Sequence, residues 1–151
     1  MALTNSTRPD KREPESQSFE VASAVEIFIG AYVVIDNSGF ARNPADTSGF
    51  EPVGFVIGVD AENADQTSVT GDGTDAFEVA VDISGTIVER LSVAGVTGQS
   101  DVRRRVFLVD ENTFRLSPAT VNLPPVGMIT RFRSTSEVDV LFFSLEQMRG
   151  N

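Results

Sequence analysis

The sequence predicts an all-β fold: a small barrel or sandwich built from two similar strand–hairpin–strand halves, preceded by an extended N-terminal arm. Three observations lead to this prediction. Apolar residues alternate with polar ones along several short segments, which is typical of half-buried strands. Turn-forming residues separate those segments. One segment of about twenty residues occurs twice in similar form.

The first eighteen residues, MALTNSTRPDKREPESQS, are polar and include two prolines. They hold almost no large apolar side chains, so burial cannot offset the entropy lost on ordering them. We predict a flexible arm over 1–18 and a single β domain over 19–151. The segment lacks the apolar stretch of a secretory signal, which predicts use without export. Such an arm can add to a sheet edge or wrap a neighbouring subunit, which makes Arg8, Lys11 and Arg12 candidate partner contacts.

The first predicted strand covers 25–35. Glu26, Gly30 and Tyr32 fall on one face, and the other face is apolar, with Val25, Ile27, Ile29, Ala31, Val33 and Ile35. The segments 77–83 and 138–142 alternate in the same way. Helical spacing is not sustained anywhere in the chain. The best helix candidates are a turn near Thr86–Leu91 and the tail at Ser144–Arg149.

The repeated passage reads IDNSGFARNPADTSGFEPVGFV at 35–56 and VDENTFRLSPATVNLPPVGMI at 109–129. We predict one β unit used twice, over about 25–83 and 102–143, with both halves packed around a shared core. In each copy an Asp caps the turn, a Phe anchors the hairpin, a Pro opens the next strand and a Gly permits a bulge or a close backbone approach. The first-copy residues that return at an offset of 73 or 74 are Asp36, Phe40, Pro44, Ala45, Pro52, Val53 and Gly54.

The composition restricts the function. The chain has no cysteine and no histidine, which excludes thiolate-bound zinc and cysteine catalysis and removes the usual general base. The net charge of -10 disfavours direct binding to nucleic acid. No apolar run reaches the length of a membrane-spanning helix. We therefore predict a protein without catalytic residues, metal or cofactor, and without nucleic-acid or membrane partners.

Two acidic pairs offer alternatives to this interpretation. Asp60 with Glu62, or Asp72 with Asp75, could act as the two carboxylates of a hydrolase. Asp72 and Asp75 could also bind calcium, and the sequence leaves open whether they hold an ion. Turn residues are commonly Asp, however, so a solvated turn is the favoured interpretation.

The arginines suggest a partner-binding patch. Arg103 and Arg105 are predicted to share one strand face, and Arg131 and Arg133 to share another. If the two strands are neighbours, four guanidinium groups form one patch that seeks carboxylates of a partner or a sister subunit. The alternative is a set of cross-strand ion pairs with the protein's own Asp and Glu.

The segment VEIFIGAYVVIDNSGFARN…EPVGFVIGVDA resembles the small decoration, or capsid cement, proteins of tailed bacteriophages. Those proteins read as an apolar strand with a glycine before hVhhD, a turn, and then PhGhhh. The resemblance covers about Ala24 to Gly85, and the long second half departs from the shorter family pattern. The matching positions are Gly30, Val33, Asp36, Gly39, Pro52, Val53 and Gly54.

This resemblance implies a non-enzymatic virion protein, made in the host cytoplasm, which binds the outside of the expanded head. It also implies a homotrimer with the major capsid protein as its partner, stabilising the head against the pressure of packaged DNA. The alternative is a virion or surface β domain, such as a head fibre or a tail or neck component, that binds a host protein or carbohydrate. Glycan-binding modules usually expose aromatic residues, and this chain has no Trp and one Tyr.

Overall fold

The computed structural model describes residues 16–60, 66–72, 77–118 and 122–149. Strands dominate this part of the chain, which confirms the predicted all-β class. None of its helices is long and apolar enough to cross a membrane. The elements are β1 (Ser16–Glu20), β2 (Glu26–Phe28), β3 (Tyr32–Ile35), β4 (Ala41–Arg42), β5 (Glu51–Val59), β6 (Ser68–Thr70), β7 (Glu78–Asp82), β8 (Thr86–Leu91), β9 (Val93–Ala94), β10 (Arg105–Leu108), β11 (Phe114–Arg115), β12 (Gly127–Ser134), β13 (Glu137–Phe142) and α1 (Leu145–Arg149).

The strands form two main sheets and one small one. The first sheet has the order β1-β7-β5-β3-β4, and the second has the order β8-β13-β12-β10-β11-β9. The small sheet pairs β2 with β6. We call β1, β3, β4, β5 and β7 the first unit, and β8, β10, β11, β12 and β13 the second unit. In the first unit the strands lie side by side as β1-β7-β5-β3-β4, and in the second as β8-β13-β12-β10-β11. In both, the first strand of the chain is followed in space by the fifth, fourth, second and third, so the two units share one topology.

The two units also share their strand register. Val33 of β3 lies opposite Gly54 of β5, and Val106 of β10 lies opposite Gly127 of β12. Both residues of the second pair are 73 positions after their counterparts in the first pair. The parallel bridge between Val21 and Ala41 corresponds to the parallel pairing of β9 with β11. The duplication therefore extends beyond the repeated passage and includes the edge strands β1 and β8.

The glycine of each Pro-Val-Gly segment lies against the last strand of its own unit. A Cβ atom on Gly54 would collide with the carbonyl oxygen of Asp82, and one on Gly127 would lie 2.7 Å from the carbonyl oxygen of Leu141. Asp82 and Leu141 occupy equivalent positions, opposite Phe55 and Met128. The predicted close backbone approach is confirmed in both copies, because only a residue without a side chain fits there.

The hydrophobic interior consists of two clusters, so the prediction of a single core shared by both halves was only partly correct. The first core contains Val21, Ile27, Val33, Ala41, Val53, Val56, Val69, Val79 and Val81. The second core contains Tyr32, Val34, Val93, Val96, Val106, Leu108, Phe114, Leu116, Leu123, Val126, Ile129, Val138, Val140 and Phe142. The first core belongs to the first unit and the small sheet, whereas the second core takes residues from both units.

The two cores define how the units stack. We call the face that carries Val33 in the first unit, and Val106 in the second, the inner face; the opposite face is the outer face. The small sheet covers the inner face of the first unit through Ile27. The outer face of the first unit, with Tyr32 and Val34, packs against the inner face of the second unit. The layers are thus small sheet, first unit and second unit.

The single strand predicted over 25–35 is wrong, because the chain turns at Ile29 and Gly30. Gly30 has a φ of +90°, a conformation that favours glycine, and it separates β2 of the small sheet from β3 of the first unit. The turn also changes which residues are buried: Tyr32 is completely buried, although the alternation placed it on the polar face.

The hairpin predictions are confirmed for the aspartates and only half correct for the phenylalanines. Asp36 Oδ1 accepts hydrogen bonds from the backbone N–H groups of Ser38 at 2.9 Å and Phe40 at 3.0 Å. Asp110 Oδ1 accepts one from Asn112 at 3.0 Å. Phe114 is buried in the second core, as predicted, but Phe40 is half-buried and belongs to neither core.

One of the two helix candidates is confirmed. The tail forms α1, and Ser144 caps it: the Ser144 hydroxyl accepts from the Gln147 N–H at 3.0 Å, and the Gln147 side chain accepts from the Ser144 N–H at 2.8 Å. The other candidate, Thr86–Leu91, is the strand β8, because pairing with β13 supplies backbone hydrogen bonds that the local pattern does not reveal.

The boundary predicted for the arm is also wrong. Residues 16–18 belong to β1, which pairs with β7 from Ser16 opposite Asp82 to Glu20 opposite Glu78, and Phe19 packs against the first core. Cross-strand pairing therefore orders a segment whose own composition predicted a flexible tail.

We expect truncation to show whether the ordered domain begins at residue 16, where β1 starts, or at residue 19, as the sequence predicted. Deleting residues 2–15 leaves β1 intact and should leave the unfolding free energy within about 1 kcal/mol of the full chain. Deleting residues 2–20 removes a paired strand and the packing of Phe19, and should cost about 3 kcal/mol or more. Urea unfolding followed by circular dichroism measures both. Equal stability of the two truncated chains would show that β1 contributes nothing to the fold.

Candidate docking surfaces

The structure places two of the predicted arginines on neighbouring strands. Arg105 of β10 pairs with Met128 of β12, so the condition for a joint patch with Arg131 is met, and both arginines are exposed. Arg103 is exposed but lies in the turn before β10, with a φ of 80°, so the prediction that it shares a strand face with Arg105 is wrong. Two hydrogen bonds hold the turn: the Arg104 N–H donates to the carbonyl oxygen of Asp101 at 3.0 Å, and the Arg103 N–H donates to that of Ile129 at 2.7 Å.

Arg133 is engaged within the protein. Its Nε lies 2.7 Å from Asp139 Oδ1 and its Nη2 lies 2.9 Å from Asp139 Oδ2, so the two side chains form a bidentate ion pair. Asp139 is almost completely buried and also accepts from the Arg90 N–H at 3.1 Å. The hydrogen bonds from Arg133 hold the pKa of Asp139 below its ordinary value. Among the four arginines of the predicted patch, the own-carboxylate alternative therefore holds for Arg133.

Asp101 forms the other buried acidic site in the described residues. Its carboxylate accepts from the N–H groups of Thr97 at 2.7 Å and Gly98 at 3.1 Å, and from Arg104 at 3.0 Å. These hydrogen bonds, led by that of Thr97, lower the pKa of Asp101 to about 2. The carboxylate thus holds the loop before β10 in place, which is a structural role.

We expect the stability that Asp101 gives to this loop to be lost in acid. Because the folded-state pKa of Asp101 is lower than its ordinary value of 3.8, its stabilisation is fully present above that value and is lost as the pH falls toward 2. The melting temperature of the wild type should drop between pH 5 and pH 2.5, and the drop should be several degrees smaller in Asp101→Asn. Identical pH profiles for the two proteins would rule out this contribution.

The outer face of the second unit carries a row of side chains in cross-strand register. Arg105 pairs with Met128, Met128 with Leu141, and Leu141 with Ile87 of the edge strand β8. Ile87 is 58% exposed, and Met128 and Leu141 are half-buried. We call these four residues the outer row. An apolar row on a solvent-facing sheet, with arginine at one end, is typical of an interaction surface.

The equivalent row in the first unit is an interface within the chain. There Tyr32 pairs with Phe55, Phe55 with Asp82, and Asp82 with Ser16. Tyr32 is completely buried and Phe55 packs against the second core. The Tyr32–Phe55 half of this surface is therefore covered in the first unit, and the equivalent half is partly open in the second.

A groove runs beside α1 at the junction of the two units. It consists of two adjoining depressions of about 500 and 520 Å³ that share Pro124 and Met148. Phe50 and Pro52 come from the first unit's half of the chain, and the Tyr32 hydroxyl donates to Met148 Sδ at 3.6 Å. The other lining residues are Gly49, Glu51, Arg105, Asn122, Pro125, Phe143, Gln147 and Arg149. An open groove with a mixed polar and apolar lining suits an extended peptide, whose backbone and side chains offer both kinds of contact.

A second apolar patch lies at the opposite end of the stack of layers. In β2, Ile27 points into the first core, so Glu26 and Phe28 face away from it. Phe28 is 50% exposed, and Ile29, in the turn that follows, is 46% exposed. We call Glu26, Phe28 and Ile29 the β2 patch.

Several predicted site residues lie outside the described part of the chain. They are Arg8, Lys11 and Arg12 of the arm, and Glu62 and Asp75 of the acidic pairs. Asp60 lies within it, and its carboxylate accepts from the Glu78 N–H at 2.9 Å, which is a strand-end contact. In the ranges that the structure describes, no three carboxylates come together as a metal site would require.

Sequence reasoning missed the apolar residues of the outer row. A signal for them was present in VDVLFF at 138–143, where Leu141 adds an apolar residue to the face that Asp139 makes polar. Leu141 breaks the alternation, and it lies opposite Met128 and Ile87. A strand that is apolar on both faces indicates that its second face is also an interface.

Comparisons with known proteins give no relative. No protein-family model, no curated protein and no solved structure matches this chain. What the protein does is therefore inferred from its own residues and its fold.

Proposed function

We propose that this protein is a capsid decoration, or cement, protein of a tailed bacteriophage. It binds the outer surface of the expanded head as a homotrimer, with the major capsid protein as its partner. It carries out no reaction. A ligand that binds only the expanded shell stabilises that state by mass action, and so opposes the pressure of packaged DNA. The protein is made in the host cytoplasm and remains on the exterior of the virion.

The observation that carries this proposal is the extent of the resemblance. The segment that resembles decoration proteins, about Ala24 to Gly85, contains four of the five strands of the first unit. The second half of the chain departs from the family pattern in length, and it repeats the topology of the first unit. A duplicated family unit therefore accounts for the extra length, which supports the proposal.

The groove is the surface that we propose for the major capsid protein. It lies between the units, and both copies of the repeated passage line it through Pro52 and Pro125. Phe50 and Met148 are its apolar contacts. An extended segment of the capsid protein would fit such a groove without a large change in either partner.

The proposal is tested by sedimentation with heads. The major capsid protein of the phage genome that encodes this chain is assembled into unexpanded and empty expanded heads, and the purified chain is added to each. We expect co-sedimentation with expanded heads only, and a rise in their melting temperature. A free concentration of 100 times Kd adds about 2.7 kcal/mol per site. Failure to bind expanded heads, together with retention on a glycan array, would overturn the proposal and favour the surface-module alternative.

A matched pair of variants tests the groove. Pro124 lines both depressions, whereas Pro118 is an exposed proline outside the groove. Pro124→Glu places an unpaired carboxylate against the apolar wall and should reduce head binding at least tenfold. Pro118→Glu adds the same charge and should leave head binding unchanged. Equal binding by both variants would exclude the groove as the contact.

A further inference from the structure

We propose that copies of this chain associate head to tail, with the outer row of one copy packed against the β2 patch of the next. This rests on the proposed function only in that the proposed homotrimer needs a contact between copies. Head binding is measured separately, so each of the two ideas can fail alone.

The first argument is the internal duplication. The row Tyr32–Phe55 in the first unit is covered by a second layer of the same chain, and it is equivalent to the row Arg105–Met128 in the second unit. The Arg105–Met128 half of the outer row is therefore the repeat of a surface that the protein already uses to bind a β layer. In the second unit it retains Met128, Leu141 and Ile87 as apolar contacts.

The second argument is the position of the two surfaces. The outer row lies at the second-unit end of the stack, and the β2 patch lies at the small-sheet end. Phe28, Ile29, Ile57 and Ile87 are the large hydrophobic residues that the structure exposes most in its described ranges. Two of them form the β2 patch and one ends the outer row. Two different surfaces at opposite ends make a heterologous contact, which closes into a ring or continues as a filament.

The third argument is charge. Arg105 and Arg115 are exposed on β10 and β11 and take no part in the ion pairs formed within the described residues. The β2 patch carries Glu26, which is exposed and accepts from the Ser68 hydroxyl at 3.0 Å. Opposite charges beside apolar contacts set the orientation of two copies, since a twofold contact between two outer rows would lack Glu26.

The experiment uses two double variants and their mixture. Met128→Lys with Leu141→Lys breaks the outer row, and Phe28→Lys with Ile29→Lys breaks the β2 patch. Masses are read by light scattering, with 16.3 kDa as the monomer. Wild type should form the closed trimer that the proposed function calls for, and each variant alone should be monomeric. Their equimolar mixture should give one-to-one dimers and nothing larger, because each dimer has one intact contact. Circular dichroism and thermal melting confirm that both variants are folded.

Three outcomes overturn the inference. The first is a wild type that is monomeric at about 100 times the concentration used for head binding. The second is a β2-patch variant that still self-associates, which indicates a twofold contact, and the third is a mixture that stays monomeric while both variants are folded. Binding to heads with any of these results would leave the proposed function standing and remove the head-to-tail contact alone.

A charge exchange gives an independent readout. Arg105→Glu and Glu26→Arg should each weaken self-association at least tenfold, because each places like charges opposite one another. The chain that carries both changes should recover most of the wild-type affinity. A merely structural role for Arg105 predicts no recovery, and a double variant as weak as the two single variants would contradict the proposed pairing.

Discussion

Replacing Gly54 with alanine is expected to destabilise this protein by about 3 kcal/mol or more, a large part of the stability of a small domain. The added methyl group would collide with the carbonyl oxygen of Asp82, which is fixed in β7 by pairing on both sides. Because Asp82 pairs with a strand on each side, its carbonyl oxygen cannot move aside without disturbing those pairings. Urea unfolding followed by circular dichroism measures the loss.

Two other glycines serve as the graded comparison. On Gly127 the methyl group would lie 2.7 Å from the Leu141 carbonyl oxygen, so Gly127→Ala should cost about 1 to 3 kcal/mol. Gly58 lies on the same strand as Gly54, and its nearest neighbour would be Ala80 Cβ at 3.8 Å. Gly58→Ala should therefore change stability by less than about 1 kcal/mol. If Gly54→Ala were as stable as Gly58→Ala, the two strands would not approach as closely as the structure shows.

Phe142→Ala is the second substitution with a large expected effect, at about 3 to 5 kcal/mol. Phe142 is buried at the centre of an aromatic group, with ring centroids 4.7 Å from Phe55, 5.2 Å from Phe114 and 6.0 Å from Tyr32. These rings come from both units, so their loss weakens the second core and the contact between the units together. Thermal and urea unfolding should both show the effect.

The two hairpin phenylalanines provide the control for this prediction. Phe114→Ala should cost about 3 kcal/mol or more, because Phe114 is buried in the second core. Phe40→Ala should cost less than about 1.5 kcal/mol, because Phe40 is half-buried and belongs to neither core. Equal costs would mean that the two hairpins are anchored alike, contrary to the structure.

The regular parts of the fold could be predicted from the sequence. Alternation located β7 and β13, because one face of each meets a core. The Asp turns and the glycines of the two Pro-Val-Gly segments were predictable since their roles depend on local backbone geometry. The repeat drew attention to a duplication whose full extent only the strand order reveals.

The errors share a physical cause, which is long-range pairing. Gly30 interrupts the alternation of 25–35, and whether one strand or two results depends on β6 and β5, which arrive later in the chain. Residues 16–18 and β8 are ordered by partner strands rather than by their own composition. The shared strand face predicted for Arg103 was wrong because of a turn, and Arg133 follows the ion-pair alternative with Asp139. The strand alternation shows neither.

The connection between the two units has a thermodynamic consequence. Only residues 83–85 separate the end of β7 from the start of β8. So short a tether gives each unit an effective concentration of its neighbour in the millimolar range or above. A contact that would be weak between free polypeptides therefore stays closed, and substitutions at it are partly masked in the intact chain. Splitting the chain after residue 84 into two polypeptides would reveal the intrinsic affinity that the tether hides.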